Sequence, residues 1–440
     1  MKKFLSMVLA LAMSTSLFTF SASAKDFTDS SKIKYSEAVD VVSALDIVDG
    51  YADGSFNPSA TLTRGAAAKI ICNMILGPTT ADALSADTAP FKDVPANHTF
   101  SGYIAYCAQK GIISGYADGT FRPAGTLTGY AFMKMLLGAL GYDADIEGYT
   151  GSNWTVAVAK QAMGIGLDDG NDKFVGTQAV TREEACLYAF NTLTADVVEY
   201  GSKTTVNING ATVVVGGNEA SKVSNTAAAS KHYDGEGDGV MQFCEQYFKD
   251  LKLKSGESQD DFGRPAKTWY NKADKIGTYA KEADVVYTTK TKAETIYKDL
   301  DLSKAYNYAT VVDGVKGSDF VVTKKDGTTV NGATGDADTK VGSGNGSLIE
   351  VYKDEQVITV INTYLMQVTG DYDKKDEKLT LTEIDEVKAS GAKSFNLSSD
   401  DFDNLASFSD EEYVLVTVAN GDIKSIAKAE KVSGTVTEYV

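Results

Sequence analysis

The sequence predicts a multidomain protein with an α-helical region of three related units, then a mixed α/β region, then a β-rich region. Three observations carry this. A nine-residue glycine-rich motif returns within the first 130 residues, and apolar residues around it recur at helical spacing. Five of the six prolines also lie before residue 130, and beyond residue 200 β-branched strand patterns gather around Asn-Gly pairs. At 440 residues the chain exceeds one compact core and suggests roughly two to four folded units.

Residues 1–24 read as an export signal: Lys2 and Lys3 are its basic start, Phe4 to Phe20 its apolar stretch, and Ala22-Ser23-Ala24 its small-residue cleavage site. Cleavage would leave Lys25 first, with an uncleaved anchor as the alternative. No later window holds about 18 consecutive apolar residues, so no further membrane span is expected. The net charge of −18 becomes −20 once Lys2 and Lys3 leave. With no basic patch, this argues against nucleic acid as a partner. The four cysteines, Cys72, Cys107, Cys186 and Cys244, allow three pairings but show no CxxC or disulfide framework. Their helical apolar settings suit small core residues, with a disulfide as the alternative. Only two histidines, His98 and His232, are present, which disfavours a metal centre.

The repeat begins with Gly50-Tyr51-Ala52-Asp53-Gly54-Ser55-Phe56-Asn57-Pro58, which returns 65 residues later as Gly115-Tyr116-Ala117-Asp118-Gly119-Thr120-Phe121-Arg122-Pro123, identical at seven of nine positions. A third, worn copy lies 53 residues further on: Gly111-Ile112 maps to Gly164-Ile165, Phe121 to Phe174, and Leu127-Thr128 to Val180-Thr181. Each unit reads as helix, loop, helix. In the first, Ala38, Val41, Val42 and Leu45 precede the loop and Ala67, Ile70, Ile71, Met74 and Ile75 follow it. Asp53-Gly54 and Asp118-Gly119 supply the turns because glycine accepts positive φ, and Phe56 and Phe121 plug the loops onto the core.

Thr63, Thr128 and Thr181 stand where an N-cap accepts from a helix's first turn, and Thr181-Arg182-Glu183-Glu184 forms a capping box through Glu184. Arg64 and Arg182 then occupy the first helical position, beside amides expected to be free. Such an arginine suits a carboxylate or phosphate; solvent exposure is the alternative for either one alone, and recurrence in two units favours binding. Gly129 breaks the pattern in the second unit.

Phe91-Lys92-Asp93-Val94 opening a unit, the G-Y-A-D-G-x-F-x-P loop twice, and the Leu-Thr-Arg and Val-Thr-Arg-Glu-Glu helix starts together resemble the S-layer-homology domain, over about residues 27 to 200. The resemblance implies a pseudo-threefold helical prism of three repeats. Its grooves would bind secondary cell-wall polysaccharide, often through a pyruvate ketal whose carboxylate suits Arg64 and Arg182. It carries over Thr63, Thr181, Glu183, Asp53, Gly54, Asp118, Gly119 and Trp154 as further polysaccharide-binding positions. Trp154 would stack on a sugar or pack between helices. The family's T-R-A-E stands here as Thr63-Arg64-Gly65-Ala66, Thr128-Gly129-Tyr130-Ala131 and Thr181-Arg182-Glu183-Glu184, so the grooves are expected to be unequal. The expected organisation is a signal at 1–24, repeats at 25–78, 79–142 and 143–200, a mixed region at 201–300 and a β-rich region at 301–440.

Beyond the repeats, Thr205 to Ile208 and Ala211 to Val215 flank Asn209-Gly210, and Val414 to Ala419 and Ile423 to Ala427 flank Asn420-Gly421; both read as hairpins. Leu348 to Tyr352 and Gln356 to Ile361 flank Lys353-Asp354-Glu355. Val240, Phe243, Cys244, Tyr247 and Leu251 trace a helical face, and Arg264 to Tyr270 an aromatic-rich loop or strand. Asp234, Glu236, Asp238, Gly239 and Glu245 fall at positions 1, 3, 5, 6 and 12 of an EF-hand loop, with glutamate where position 3 is usually Asp or Asn. No entering helix precedes them, so a glycine-rich linker capped by Asp238 is expected and calcium is the alternative. Thr435 to Val440 reads as an opening strand, expected to be the start of a missing continuation or an exposed sheet edge.

No G-x-S-x-G, H-E-x-x-H or phosphate loop follows residue 200, and His232 is the one neutral-pH base there. The leading expectation is a non-catalytic cell-surface protein with no cofactor, anchored through its repeats, whose β-rich part self-associates in an envelope layer or displays contacts. The alternatives are a surface-anchored polysaccharide-active enzyme, with acids such as Glu245 and Asp261 as candidates, and an adhesin or ligand-binding module.

Overall fold

A computed structural model describes residue 25 and residues 27–430, apart from 203, 209–210, 216, 218, 326, 345, 385–393, 400 and 403. The expected signal and the strand at Thr435 to Val440 lie outside the described residues. The chain is multidomain, with a helical N-terminal region and a β-rich C-terminal region of several sheets. It divides into two compact units: Ser21–Lys254 with Thr268–Gly277, and, after residue 254, Ser255–Lys267 with Thr278–Val440.

In the first unit each repeat contributes an opening helix and a second helix: α1 (Ser36–Ala44) and α2 (Arg64–Leu76), α3 (Ser101–Gln109) and α4 (Gly129–Leu140), α5 (Trp154–Gly164) and α6 (Arg182–Thr194). The helical spacing of their apolar residues is realised as burial: Val41, Val42, Ile71, Met74, Leu136, Leu137 and Leu193 are all closed to solvent. The opening helices pack on the second helix of another repeat, α3 on α2, α5 on α4, and α1 on α6. The segments just before the second helices join in a ring: Leu127 N donates to Leu62 O, Val180 N to Leu127 O, and Leu62 N to Val180 O, at 3.2, 2.9 and 2.9 Å.

The loops differ from their expected description in how they are held. Gly54 and Gly119 take positive φ (82° and 81°) as expected. Phe56 and Phe121 are buried plugs, and their backbone amides are gripped by aspartates from the start of each repeat. Asp29 accepts from Phe56 N and Asn57 N at 2.7 and 2.9 Å, and Asp93 from Phe121 N and Arg122 N, both at 2.7 Å. The worn third loop still leads into α6.

The helix expected across Val240 to Leu251 is shorter, Phe243–Tyr247. A capping box between Gln242 and Glu245 starts it, and by Leu251 the chain is a strand. The aromatic segment is the strand Pro265–Asn271; Trp269 is buried, its Nε1 donating to Glu37 Oε1 at 2.7 Å, and its ring stacks on Tyr233.

The expected hairpins form. Thr204–Ile208 pairs Ala211–Val215, with Asn209-Gly210 outside the described residues. In the β-rich unit the strands are β1 (Tyr306–Val312), β2 (Ser347–Tyr352), β3 (Val357–Val368), β4 (Lys378–Glu383), β5 (Ser394–Ser398), β6 (Tyr413–Ala419) and β7 (Asp422–Lys428). Asn420 and Gly421 turn β6 into β7 with positive φ at both (54° and 92°), as a tight hairpin requires. The twelve-residue β3 joins two cores. Its first half pairs antiparallel with β2 and parallel with β1, over a core including Ile296, Tyr308, Ile349 and Ile358. Its second half pairs with β4 and β6 over Met366, Leu381, Val414 and Val416. Asp313 pins the junction, accepting from Asn362 N, Asn362 Nδ2 and Tyr364 Oη at 2.8, 2.8 and 2.7 Å.

Candidate functional site

The helix starts are not open, and the expectation of free amides there is corrected. Arg64 N and Gly65 N donate to Gly125 O and Pro123 O, Gly129 N and Tyr130 N to Gln178 O and Gly176 O, and Arg182 N and Glu183 N to Ala60 O and Pro58 O. In each case the loop of another repeat occupies the first two amides. The third is taken by the N-cap threonine: Thr63, Thr128 and Thr181 accept from Ala66, Ala131 and Glu184. Thr63 and Thr181 therefore build helices. So does the expected capping box, with Thr181 N donating to Glu184 Oε2 at 2.8 Å. Glu183 is also engaged, accepting from Lys34 N at 2.8 Å.

The arginine side chains remain as the functional features of these starts. Arg64 Nε donates to Phe121 O and its Nη2 to Ser114 O, at 2.8 and 3.2 Å, which holds the guanidinium over the rings of Phe121 and the exposed Tyr116. Arg182 repeats this with Phe56 O and Asp49 O, at 2.9 and 2.8 Å, over Tyr51 and Phe56. Their side-chain acceptors are carbonyls, and among the described residues neither arginine forms an ion pair. Each positive charge is thus positioned but not neutralised.

Arg64 opens onto a cleft of about 310 Å³ lined also by Ser114, Tyr116, Lys134, Tyr149 and Trp154. Lys134 comes from the second turn of α4 and Trp154 from the start of α5. Lys134 Nζ donates to Tyr149 O at 2.7 Å and sits 5.7 Å from the Trp154 ring. Burial lowers the pKa of Arg64 and of Lys134, Asp145 partly opposing it at the lysine. Two cations that have lost water favour an anionic guest. Tyr149 also lines the cleft, its hydroxyl buried and without a hydrogen-bond partner among the described residues, so the cleft brings cations and an aromatic face together.

Sequence reasoning missed Lys134 and Tyr149. A usable signal existed for the lysine: Lys69 and Lys134 both stand six residues after the cap threonine, where the third repeat has Leu187. The expectation of unequal grooves follows through to these positions. By repeat position Lys69 is the counterpart of Lys134 for Arg182, and it lies 3.5 Å from Asp82; the third set of positions has Gly129 and Leu187 and neither cation. Asp53, Gly54, Asp118 and Gly119 are placed as turn residues. Asp53 Oδ1 accepts from Ser55 N and Oγ, and Asp118 Oδ1 from Thr120 N and Oγ1.

The EF-hand-like segment folds on itself. Asp234 accepts from Glu236 N and Asp238 from Val240 N, while buried Glu245 accepts from Asn225 Nδ2, Tyr233 N and Gln242 N and lies 2.9 Å from His232 Nδ1. His232 is itself buried, and Asp261 pairs with Lys424 at 2.8 Å. All four cysteines are buried and free.

Residues 26–68 and 90–129 match the S-layer homology domain. The chain is 24% identical over 217 residues to the "Surface layer protein" of Brevibacillus choshinensis, covering 49% of this chain and 19% of that one. It is 34% identical over 79 residues to the "Cellulosome-anchoring protein" of Acetivibrio thermocellus (18% and 17%), and 29% identical over 153 residues to an "Uncharacterized cell wall amidase" of Bacillus anthracis (33% and 28%). The chain spans less than a third of the length of each of these relatives. None of the described helices is long and apolar enough to cross a membrane.

Proposed function

From the premise that this chain is an S-layer-homology-domain protein of the cell surface, we propose that it is a non-catalytic envelope component held on an anionic cell-wall polysaccharide. The observation that carries this reading is the cleft where Arg64, Lys134, Tyr116 and Trp154 converge. The carboxylate of a pyruvylated sugar would meet Arg64 and Lys134, with the ring against Trp154 or Tyr116. The Arg182 interface is a second, weaker contact, and the Gly129 interface binds least. The backbone ring and the exchanged loop carbonyls support a pseudo-threefold arrangement that fixes all three interfaces together.

A polysaccharide-active enzyme is the second reading, prompted by the amidase name of one relative. The engagement of Glu245 and Asp261 in internal contacts favours the structural reading over it. The β-rich unit then serves as the displayed or self-associating layer.

The test is sedimentation of the whole chain with purified cell walls, before and after acid removal of ketals. Charge-assisted contacts are worth about 1.5–3 kcal/mol, so Arg64→Ala and Lys134→Met are each expected to weaken binding by about ten- to a hundredfold. Arg64→Lys should restore part of it, because lysine lacks the planar fork. Met163→Ala, on the exposed part of α5, is the control. Folded Arg64 and Lys134 variants that bind walls like the parent would overturn the cleft as the anchor.

A further inference from the structure

We propose that Cys72 and Cys107 are a covalent cross-linking site, oxidised in the exported chain to a disulfide that ties the first repeat to the second. Cys72 lies on α2 and Cys107 on α3, the two helices that pack across this repeat boundary. Both are fully buried, and their sulfurs meet at 3.6 Å. Each also faces a carbonyl of the opposite helix, Cys72 Sγ at 3.6 Å from Tyr103 O and Cys107 Sγ at 3.7 Å from Ala68 O. A disulfide needs the sulfurs at about 2.05 Å, so closure asks for an approach of about 1.5 Å between side chains already aimed at one another. The residues are 35 apart in sequence, so the bond would close a long loop across the boundary. An extracellular location is where such a bond persists.

The oxidant is a small-molecule or protein-borne disulfide. One cysteine thiolate attacks a sulfur of that disulfide, forming a mixed disulfide and expelling one thiolate. The second cysteine thiolate attacks the mixed disulfide, forming the Cys72–Cys107 bond and expelling the other. The protons of both cysteines pass to the expelled thiolates, and the carrier is reduced by two electrons. The folded unit suppresses this chemistry: the contact with Cys72 and then burial push the Cys107 thiol far above its ordinary value. Exchange therefore belongs to folding, before α3 docks on α2, and docking protects the product.

The experiment exports the whole chain through a host with an oxidising envelope, unfolds it at harvest in denaturant containing an alkylating agent, and digests with trypsin without reduction. The expected result is a single linked species of peptides 70–92 and 93–110, split by reduction, with Cys186 and Cys244 alkylated. Cys72→Ala and Cys107→Ala each abolish it, and the double variant Cys186→Ala with Cys244→Ala retains it. In a second measurement, chain refolded in a glutathione redox buffer has a higher denaturation midpoint than chain refolded in dithiothreitol, and Cys72→Ala shows no difference. Alkylated Cys72 and Cys107 in the exported chain, a link running instead to Cys186 or Cys244, or a lower midpoint in the oxidised form would each overturn the proposal.

Discussion

Phe121→Ala tests whether the repeat loop is clamped by its aromatic plug. The side chain is buried, its ring centroid 5.3 Å from Phe91 in a stacked pair, and the Arg64 guanidinium lies 4.3 Å from it. Truncating a buried phenylalanine costs about 3–5 kcal/mol. The stacked partner accounts for roughly 0.5–1.5 kcal/mol and the cation contact for about 0.5–1 kcal/mol, which places this site in the upper part of that range. Phe121→Leu keeps most of the volume and loses the ring contacts, for an expected cost of about 1–2 kcal/mol. The assay is denaturant unfolding followed by circular dichroism at a helical wavelength, with wall sedimentation of the leucine variant alongside. Leucine leaves the Phe121 carbonyl in place for Arg64 Nε, so its binding should fall only a few-fold. A cost below about 1.5 kcal/mol for alanine, or equal costs for alanine and leucine, would refute the reasoning. Phe56→Ala, buried against Phe27 at 5.1 Å, should match Phe121→Ala.

Gly65→Ala should destabilise the helical unit by about 1–3 kcal/mol despite alanine's better helix propensity, since its Cβ would fall 2.4 Å from the Phe100 ring; an unchanged melting temperature would contradict the packing. Hydrogen bonds from Thr120, first its hydroxyl and then its amide, hold the Asp118 carboxyl down at about 2. This depressed pKa stabilises the fold above the unfolded value near 4 and is lost as pH falls toward 2. Carboxyl NMR titration should show that low midpoint, and Thr120→Val should raise it; a midpoint unmoved by the substitution contradicts the assignment. Glu245→Ala removes the acceptor of two buried donors and one part-buried donor beside His232 and should cost about 3–5 kcal/mol, while a calcium chelator should leave the melting curve of the parent unchanged. A chelator-induced drop would revive the calcium reading.

What was legible in the sequence was what neighbouring residues decide among themselves. The repeats, the cap threonines, the capping box at Glu184 and the Asn420-Gly421 turn are local, and each appears where the pattern put it. The helix starts looked open because their partners, the carbonyls of Gly125, Gln178 and Ala60, lie in other repeats. For the same reason Arg64 and Trp154, 90 positions apart, gave no sign of sharing a cleft. The helix expected through Leu251 ended early because its apolar residues serve a strand as well as a helix, and periodicity alone cannot separate the two. The parallel pairing of β1 with β3 had no local turn to announce it.

Because β3 is one unbroken strand, the two cores of the β-rich unit share a rigid rod instead of a hinge. Tension drawing those cores apart along β3 would strain its ladders with β1 and β2 on one side of Asp313, and with β4 and β6 on the other. Hydrogen bonds lying across a strand resist such a pull together, in shear, rather than opening one by one from an end. The arrangement would make this unit stiff along β3 and more compliant across it.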